Sequence, residues 1–123
     1  MVIVFVSARG NFMPTIFTKI INKEIPAQIV YEDELCLAFR DIGPQAPTHV
    51  LVIPKRHVES LNQFDDPAMA GALFAMARDV AKAEGIAESG FRVTINTNRD
   101  GGQTVFHLHL HVMGGRQMAW PPG

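Results

Sequence analysis

Three histidines alternate with apolar residues in His107-Leu108-His109-Leu110-His111-Val112, near the end of the chain. Period two is the signature of an extended strand, so the three imidazoles are expected on one face, with Leu108, Leu110 and Val112 on the other. A ring nitrogen buried without a partner costs stability, and the row is therefore expected to meet water, a ligand or a metal. Second neighbours on a strand stand roughly 6 to 7 Å apart, which lets adjacent rings address one bound group from two sides. Two chemistries use such a row. Imidazole is a nucleophile and proton carrier in phosphoryl transfer, and it is equally a zinc ligand. The polar glycine turn Asp100-Gly-Gly-Gln-Thr104 leads into the strand, and a fourth histidine, His49, sits on a separate β-branched run. Both features favour phosphate chemistry, and no metal and no cofactor are expected.

The elements that must hold these residues are also readable. Ile16-Phe17 and Ile20-Ile21 have helical spacing, Thr15 is placed to cap them and Pro26 closes the segment, which predicts a short helix. Strand-like runs 28–31 and 35–40 flank the acidic turn Glu32-Asp33-Glu34 and predict a hairpin. A loop with two prolines and one glycine, 41–47, precedes the strongly β-branched run 48–54, expected as a central strand. Asp66 is a cap with Pro67 at the first helical position, and Met69, Leu73, Met76, Ala77 and Val80 form one stripe of a long helix ending near Gly85. Residues 91–96 alternate again, and the turn 98–102 is expected to return the chain directly into the histidine strand. The sum is an α+β fold: a five-stranded antiparallel sheet with one short and one long helix.

At 123 residues the chain fits one domain. Residues 1–12, ahead of Met13-Pro14, are expected to be an N-terminal extension, and 13–123 the domain. Its tail, 114–123, is too short and proline-rich to fold alone, so Trp120 is expected to dock on something. The formal net charge of -1 and the scattered basic residues exclude a footprint for duplex nucleic acid and point to a small ligand. The lone Cys36 excludes an internal disulfide and makes a reducing, cytoplasmic setting the expectation. No apolar stretch approaches the roughly 18 residues of a membrane span, and no membrane association is expected.

The run His-Leu-His-Leu-His-Val-Met, led by Gly-Gly-Gln-Thr-Val-Phe, closely resembles the signature of the histidine-triad (HIT) superfamily. Thr15-Ile-Phe-Thr-Lys-Ile-Ile, Lys23-Glu-Ile-Pro-Ala, Phe39-Arg-Asp-Ile, the block from Pro44 to Lys55 and the ending from Gly114 to Gly123 resemble its HinT branch. That resemblance implies a homodimer with the sheet extended across it, and a purine nucleoside phosphoramidase. Such an enzyme hydrolyses the P–N bond joining AMP or GMP to an amine, through a covalent nucleotidyl-histidine. It implies His109 as nucleophile, with His107, His111 and His49 completing the constellation. Ile16, Phe17, Phe39 and Ile42 would enclose the purine, and Asp41 would bind the ribose hydroxyls. Asn96, Gln103 and Thr104 would contact the phosphate or leaving group, and Trp120 would reach toward the partner's pocket.

Against the family pattern, Thr104 stands where many HinT proteins carry serine, and Arg40 and Ala119 replace histidines of some relatives. Two other functions stay open: a dinucleoside polyphosphate hydrolase or nucleotidyl transferase of the same superfamily, and a non-catalytic purine-nucleotide-binding protein. For Phe17 and Phe39 the alternative is plain core packing, and for His57 a surface position.

Overall fold

The computed structural model describes residues 14–123; the expected extension over residues 1–12 lies outside them. Helix α1 (Ile16–Ile21) opens on Thr15, whose hydroxyl accepts from the Phe17 and Thr18 N–H groups while Thr18 returns a bond to the Thr15 N–H. This reciprocal cap satisfies donors that a helix start leaves open. Strands β1 (Ile29–Glu32) and β2 (Cys36–Arg40) form the acidic-turn hairpin. Asp33 makes that turn by accepting from the N–H groups of Leu35 and Cys36.

Strand β3 (Thr48–Pro54) follows, then helix α2 (Pro67–Ala83), capped by the Asp66 carboxylate on the Met69 N–H. Such a cap contributes about 1 kcal/mol. Strand β4 (Phe91–Thr94), the one-turn helix α3 (Asn98–Gly101) and strand β5 (Leu110–Gly114) complete the chain. The sheet runs β1-β2-β3-β5-β4, every pairing antiparallel, which puts the β-branched strand β3 at the centre as its composition predicts.

Alternation divides the sheet into two faces. Cys36, Ala38, Val50, Val52, Leu108, Leu110 and Val112 pack against Met69, Leu73, Met76 and Val80 of α2 and form the larger core. Leu37, Phe39, Leu51 and Ile53 point the other way, beneath Phe17 and Ile20 of the short helix. The methionines of α2 are core filler, and Cys36 is buried there as a free thiol that burial pushes up to about 11.

Two expectations are corrected here. The histidine strand does not start at His107: ladder pairing begins at Leu110, and residues 107–109 approach the sheet outside the ladder, His107 in a bend, with the Leu108 N–H bonded to the Val58 carbonyl. Nor do β4 and β5 meet through a tight hairpin. Thr94 faces His111 in register, so residues 95–110 form a wide connection. Asn98, at φ 58, turns the chain into α3 instead of reversing it. None of the helices among the described residues is long and apolar enough to cross a membrane.

Candidate active site

The face under α1 carries the histidines. Strand β3 supplies His49, strand β5 supplies His111, and the segment before β5 supplies His107 and His109. The rings of His109 and His111 are 4.9 Å apart centre to centre, and those of His111 and His49 are 5.1 Å apart. Phe17 of α1 meets His109 edge-on at 5.1 Å and Phe39 at 5.4 Å. His57, which falls where the resembled branch carries histidine and for which the sequence also left a surface position open, is half-buried with its ring edge on His107 at 5.1 Å. All five histidines of the chain thus lie in one continuous row. No spacing in the sequence signals that His57 joins it.

Hydrogen bonds fix which nitrogen of each ring carries its proton. His107 Nε2 lies 2.7 Å from the Pro54 carbonyl, which can only accept, so that nitrogen is the N–H. His109 Nδ1 lies 2.7 Å from the His107 carbonyl and must likewise donate, which leaves His109 Nε2 with a bare lone pair. The Gln45 backbone N–H donates to His49 Nδ1 at 3.0 Å, so neutral His49 holds its proton on Nε2. His49 Nε2 donates in turn to His111 Nδ1 at 2.9 Å, and His111 is left with its N–H on Nε2, a buried atom with no hydrogen-bond partner among the described residues. Of the four rings whose tautomers these bonds fix, His107 keeps its bare Nδ1 buried, while His109 presents a bare Nε2 beside the Nε2–H of His111.

The rings are neutral at ordinary pH. Burial pushes His107 and His111 down to about 4, and neighbouring imidazoles add to the effect, while the Pro54 carbonyl opposes it for His107 and Asp41 for His111. Burial also lowers His109 and His49, against the Asp41 carboxylate, which raises both. His107, 1% exposed, does not meet water or a ligand as the row was expected to. It is a buried brace whose backbone carbonyl, not its ring, serves the site.

The other expected site residues separate into groups. Asp41 reaches the histidines, with Oδ2 3.4 Å from His49 Nε2 and Oδ1 accepting from the Gly43 N–H. Phe17 and Phe39 are buried, so packing is their first role, with the Phe17 edge turned on His109. Ile16 and Ile42 are exposed apolar residues, Ile42 by 95%. Asn96 lines a cavity of about 500 Å³ together with His49, His111, Arg92 and Arg116. Thr104 is exposed on the loop before the triad and lines a second cavity with Ile16 and Glu59.

Gln103 is the correction. Its amide is buried and spent on backbone: Oε1 accepts from the Asn98 N–H, and Nε2 donates to the Glu59 and Val105 carbonyls. Thr97 makes no side-chain cap for α3, and Gln103 supplies the missing acceptor. Those bonds shape the loop that carries Thr104. Trp120 is left 82% exposed by the described residues, although the tail around it is fastened by Arg92 to the Ala119 carbonyl.

Among the described residues, Asp41, His49 and His111 are the set whose donor atoms come together, within 4.8 Å. Their chemistry suits a cation, but their arrangement does not. Nitrogen ligands about 2.0 to 2.1 Å from a tetrahedral zinc stand roughly 3.3 to 3.4 Å apart and carry no shared proton. His49 Nε2 and His111 Nδ1 are 2.9 Å apart with a hydrogen between them. Zinc could enter only by displacing that proton. Activity is accordingly expected to be unchanged in chelator and lowered by added zinc, as read by turnover in parallel assays; loss of activity in chelator would contradict the hydrogen-bonded arrangement.

Comparison with known proteins agrees with this geometry. The HIT domain family model matches residues 22–118. An uncharacterised HIT-like protein of Synechococcus elongatus is 56% identical over 111 residues, covering 89% of this chain and 96% of that protein. A 14 kDa zinc-binding protein of Zea mays is 53% identical, covering 89% of this chain and 88% of its own length. Among solved structures, a HIT family hydrolase from Legionella pneumophila superposes with a TM-score of 0.87 at 50% identity, over 89% of this chain and all of that one. A HIT family hydrolase from Clostridium thermocellum gives 0.85 at 41% identity, over 89% of this chain and 96% of that one. With a family model spanning most of its length and relatives above half identical over nearly all of theirs, the chain belongs to the HIT family.

Proposed function

We propose that the protein is a purine nucleoside phosphoramidase, hydrolysing the P–N bond between a nucleoside monophosphate and an amine. The observation that carries this reading is the bare Nε2 of His109, held by the Nδ1–H bond to the His107 carbonyl. In the first displacement His109 Nε2 attacks phosphorus, the P–N bond breaks and the amine departs with a proton taken from bound water or solvent. The resulting nucleotidyl-imidazolium keeps its Nδ1–H on the His107 carbonyl, a bond that strengthens as positive charge develops. Water then attacks phosphorus, the bond to His109 breaks and the nucleoside monophosphate leaves, its extra proton passing to solvent. Splitting one hard hydrolysis into two displacements is the gain of covalent catalysis.

The His111 Nε2–H is aimed to meet the developing phosphoryl charge, and Thr104 adds a hydroxyl near the leaving nitrogen. Exposed Ile16 and Ile42 supply apolar surface for a purine, beside the Phe17 edge, and Asp41 supplies an acceptor for ribose hydroxyls. The working form is a homodimer: β4 is an edge strand, and Phe91 on it and Phe74 on α2 are exposed apolar side chains that pairing would cover. Trp120, exposed in one chain, then has a partner pocket to reach. Free, buried Cys36 fits a reducing compartment such as the cytoplasm.

Incubation with an adenosine phosphoramidate, a diadenosine polyphosphate and ATP in parallel tests the reading. Fast release of AMP from the phosphoramidate alone is expected. Preferential cleavage of the polyphosphate would assign the superfamily's other chemistry, and binding of AMP without turnover of any of the three would make the protein a nucleotide-binding module. Thr104→Ala should lower kcat roughly ten- to a hundredfold, since it removes one hydrogen bond to a charged group and not the nucleophile. An unchanged rate in that variant would remove Thr104 from the reaction.

A further inference from the structure

The tail beyond β5 is tied to the catalytic face by one side chain. Arg116 donates from Nη2 and Nε to the Gln45 carbonyl, at 2.9 and 3.2 Å, and from Nη1 to the carbonyl of its neighbour Gln117. Gln45 is the residue whose N–H sets the His49 tautomer. The two chain segments also press together just before this clasp. Gly115 has φ 93, and a Cβ built on it would lie 2.9 Å from Pro47 Cβ, so only glycine lets the tail close over the loop here. The loop itself is short of regular pairing. Its near end is tied to β3 by the Asp41 N–H on the His49 carbonyl at 3.0 Å and by the Asp41 carboxylate 3.4 Å from His49 Nε2, while the bonds of Gly43 N–H to Asp41 and of the Gln45 side-chain amide to the Gly43 carbonyl are internal.

We infer that Arg116 is a positioning residue for His111: by gripping the Gln45 carbonyl it keeps the Gln45 N–H on His49 Nδ1, and through His49 it keeps the His111 proton on Nε2, facing the substrate. The alternative state is specific. If the Gln45 N–H drifts away, His49 can carry its proton on Nδ1, and its Nε2 becomes an acceptor. His111 then keeps its own proton on Nδ1 to satisfy that acceptor, and its Nε2 is left bare. Such a flip turns the aimed donor into a second lone pair beside the developing phosphoryl charge, without moving either ring. The consequence falls on the transition state and little on ground-state binding, so kcat suffers more than KM.

The test compares wild type, Arg116→Met and Arg116→Lys. Nitrogen NMR of the imidazoles reports the fraction of His49 and His111 protonated on Nε2, and steady-state kinetics with an adenosine phosphoramidate reports kcat and KM. Methionine keeps length and removes every donor, while lysine keeps one. The expected order in both tautomer fraction and kcat is wild type, then Arg116→Lys, then Arg116→Met. In Arg116→Met we expect a mixture of tautomers and a kcat lowered about tenfold, with KM within about twofold. A tautomer fraction in Arg116→Met equal to wild type overturns the inference, even if kcat falls. Should that variant not fold, Arg116→Lys decides by the same readout: a reduced Nε2–H fraction supports it and a wild-type fraction overturns it. The kinetic part rests on the phosphoramidase reading and the NMR part does not, so a tautomer shift without phosphoramidate turnover would sink that reading and leave the role of Arg116 standing.

Discussion

His109→Ala is expected to lower kcat on an adenosine phosphoramidate by about four orders of magnitude or more, while AMP still binds and the fold is retained. The size of the effect follows from what the ring alone supplies. Among the four imidazoles whose tautomers the hydrogen bonds fix, it is the one with a bare Nε2, because its Nδ1 proton is committed to the His107 carbonyl. The His111 ring beside it presents an N–H and cannot substitute as nucleophile without exchanging its proton with His49. Removing His109 also opens space next to Phe17 and His111, but these are held by α1 and β5. Circular dichroism and AMP binding by calorimetry should therefore match wild type. A variant that retained a tenth of wild-type turnover would remove the covalent mechanism.

A second large effect is acid sensitivity of the fold. A histidine titrates near 6.5 in the unfolded chain, whereas burial holds His107 and His111 down to about 4 in the folded one. Above pH 6.5 the rings are neutral in both states and carry no penalty. As pH falls from about 6.5 to about 4, the unfolded chain binds protons that the folded chain refuses, and stability drops. For the deeply buried His107 the difference corresponds to roughly 3 kcal/mol, and for the less covered His111 to a smaller amount because solvent screens it. Denaturant midpoints measured between pH 7.5 and 4.5 should fall steadily below pH 6.5. His107→Gln should be less stable than wild type at pH 7.5, because the Pro54 bond is weakened, yet show a flatter fall. A midpoint unchanged between pH 7 and 4.5 would mean that the rings are hydrated or charged in the native protein. Activity follows the same sign: the nucleophile is neutral at pH 7, and its loss on acidification lies below the usual histidine range.

Much of this was legible in the sequence because it is written locally. Period-two alternation assigned Leu108, Leu110 and Val112 to the core under α2 and the histidines to the opposite face, and it held even where ladder pairing is absent. The Thr15 and Asp66 caps and the Asp33 turn are likewise interactions within three residues. What the sequence hid is long-range. His107 is a brace because Pro54, 53 residues earlier, offers a carbonyl. The tautomers of His49 and His111 depend on the Gln45 backbone N–H and on pairing across β3 and β5. Gln103 was expected at a phosphate because a primary amide in a glycine-rich loop can serve either ligand or backbone, and only the fold shows Glu59 and Asn98 claiming it. His57 entered the row through a turn that periodicity does not describe.

Catalysis by this route turns on a covalent bond to one ring. Rapid acid-free quenching of the protein with an adenosine phosphoramidate, followed by proteolysis and mass spectrometry, reads it directly. An acid-labile nucleotidyl group on His109, formed and lost fast enough to account for turnover, is the predicted result. Turnover with no adduct, or an adduct on a different histidine, would contradict it.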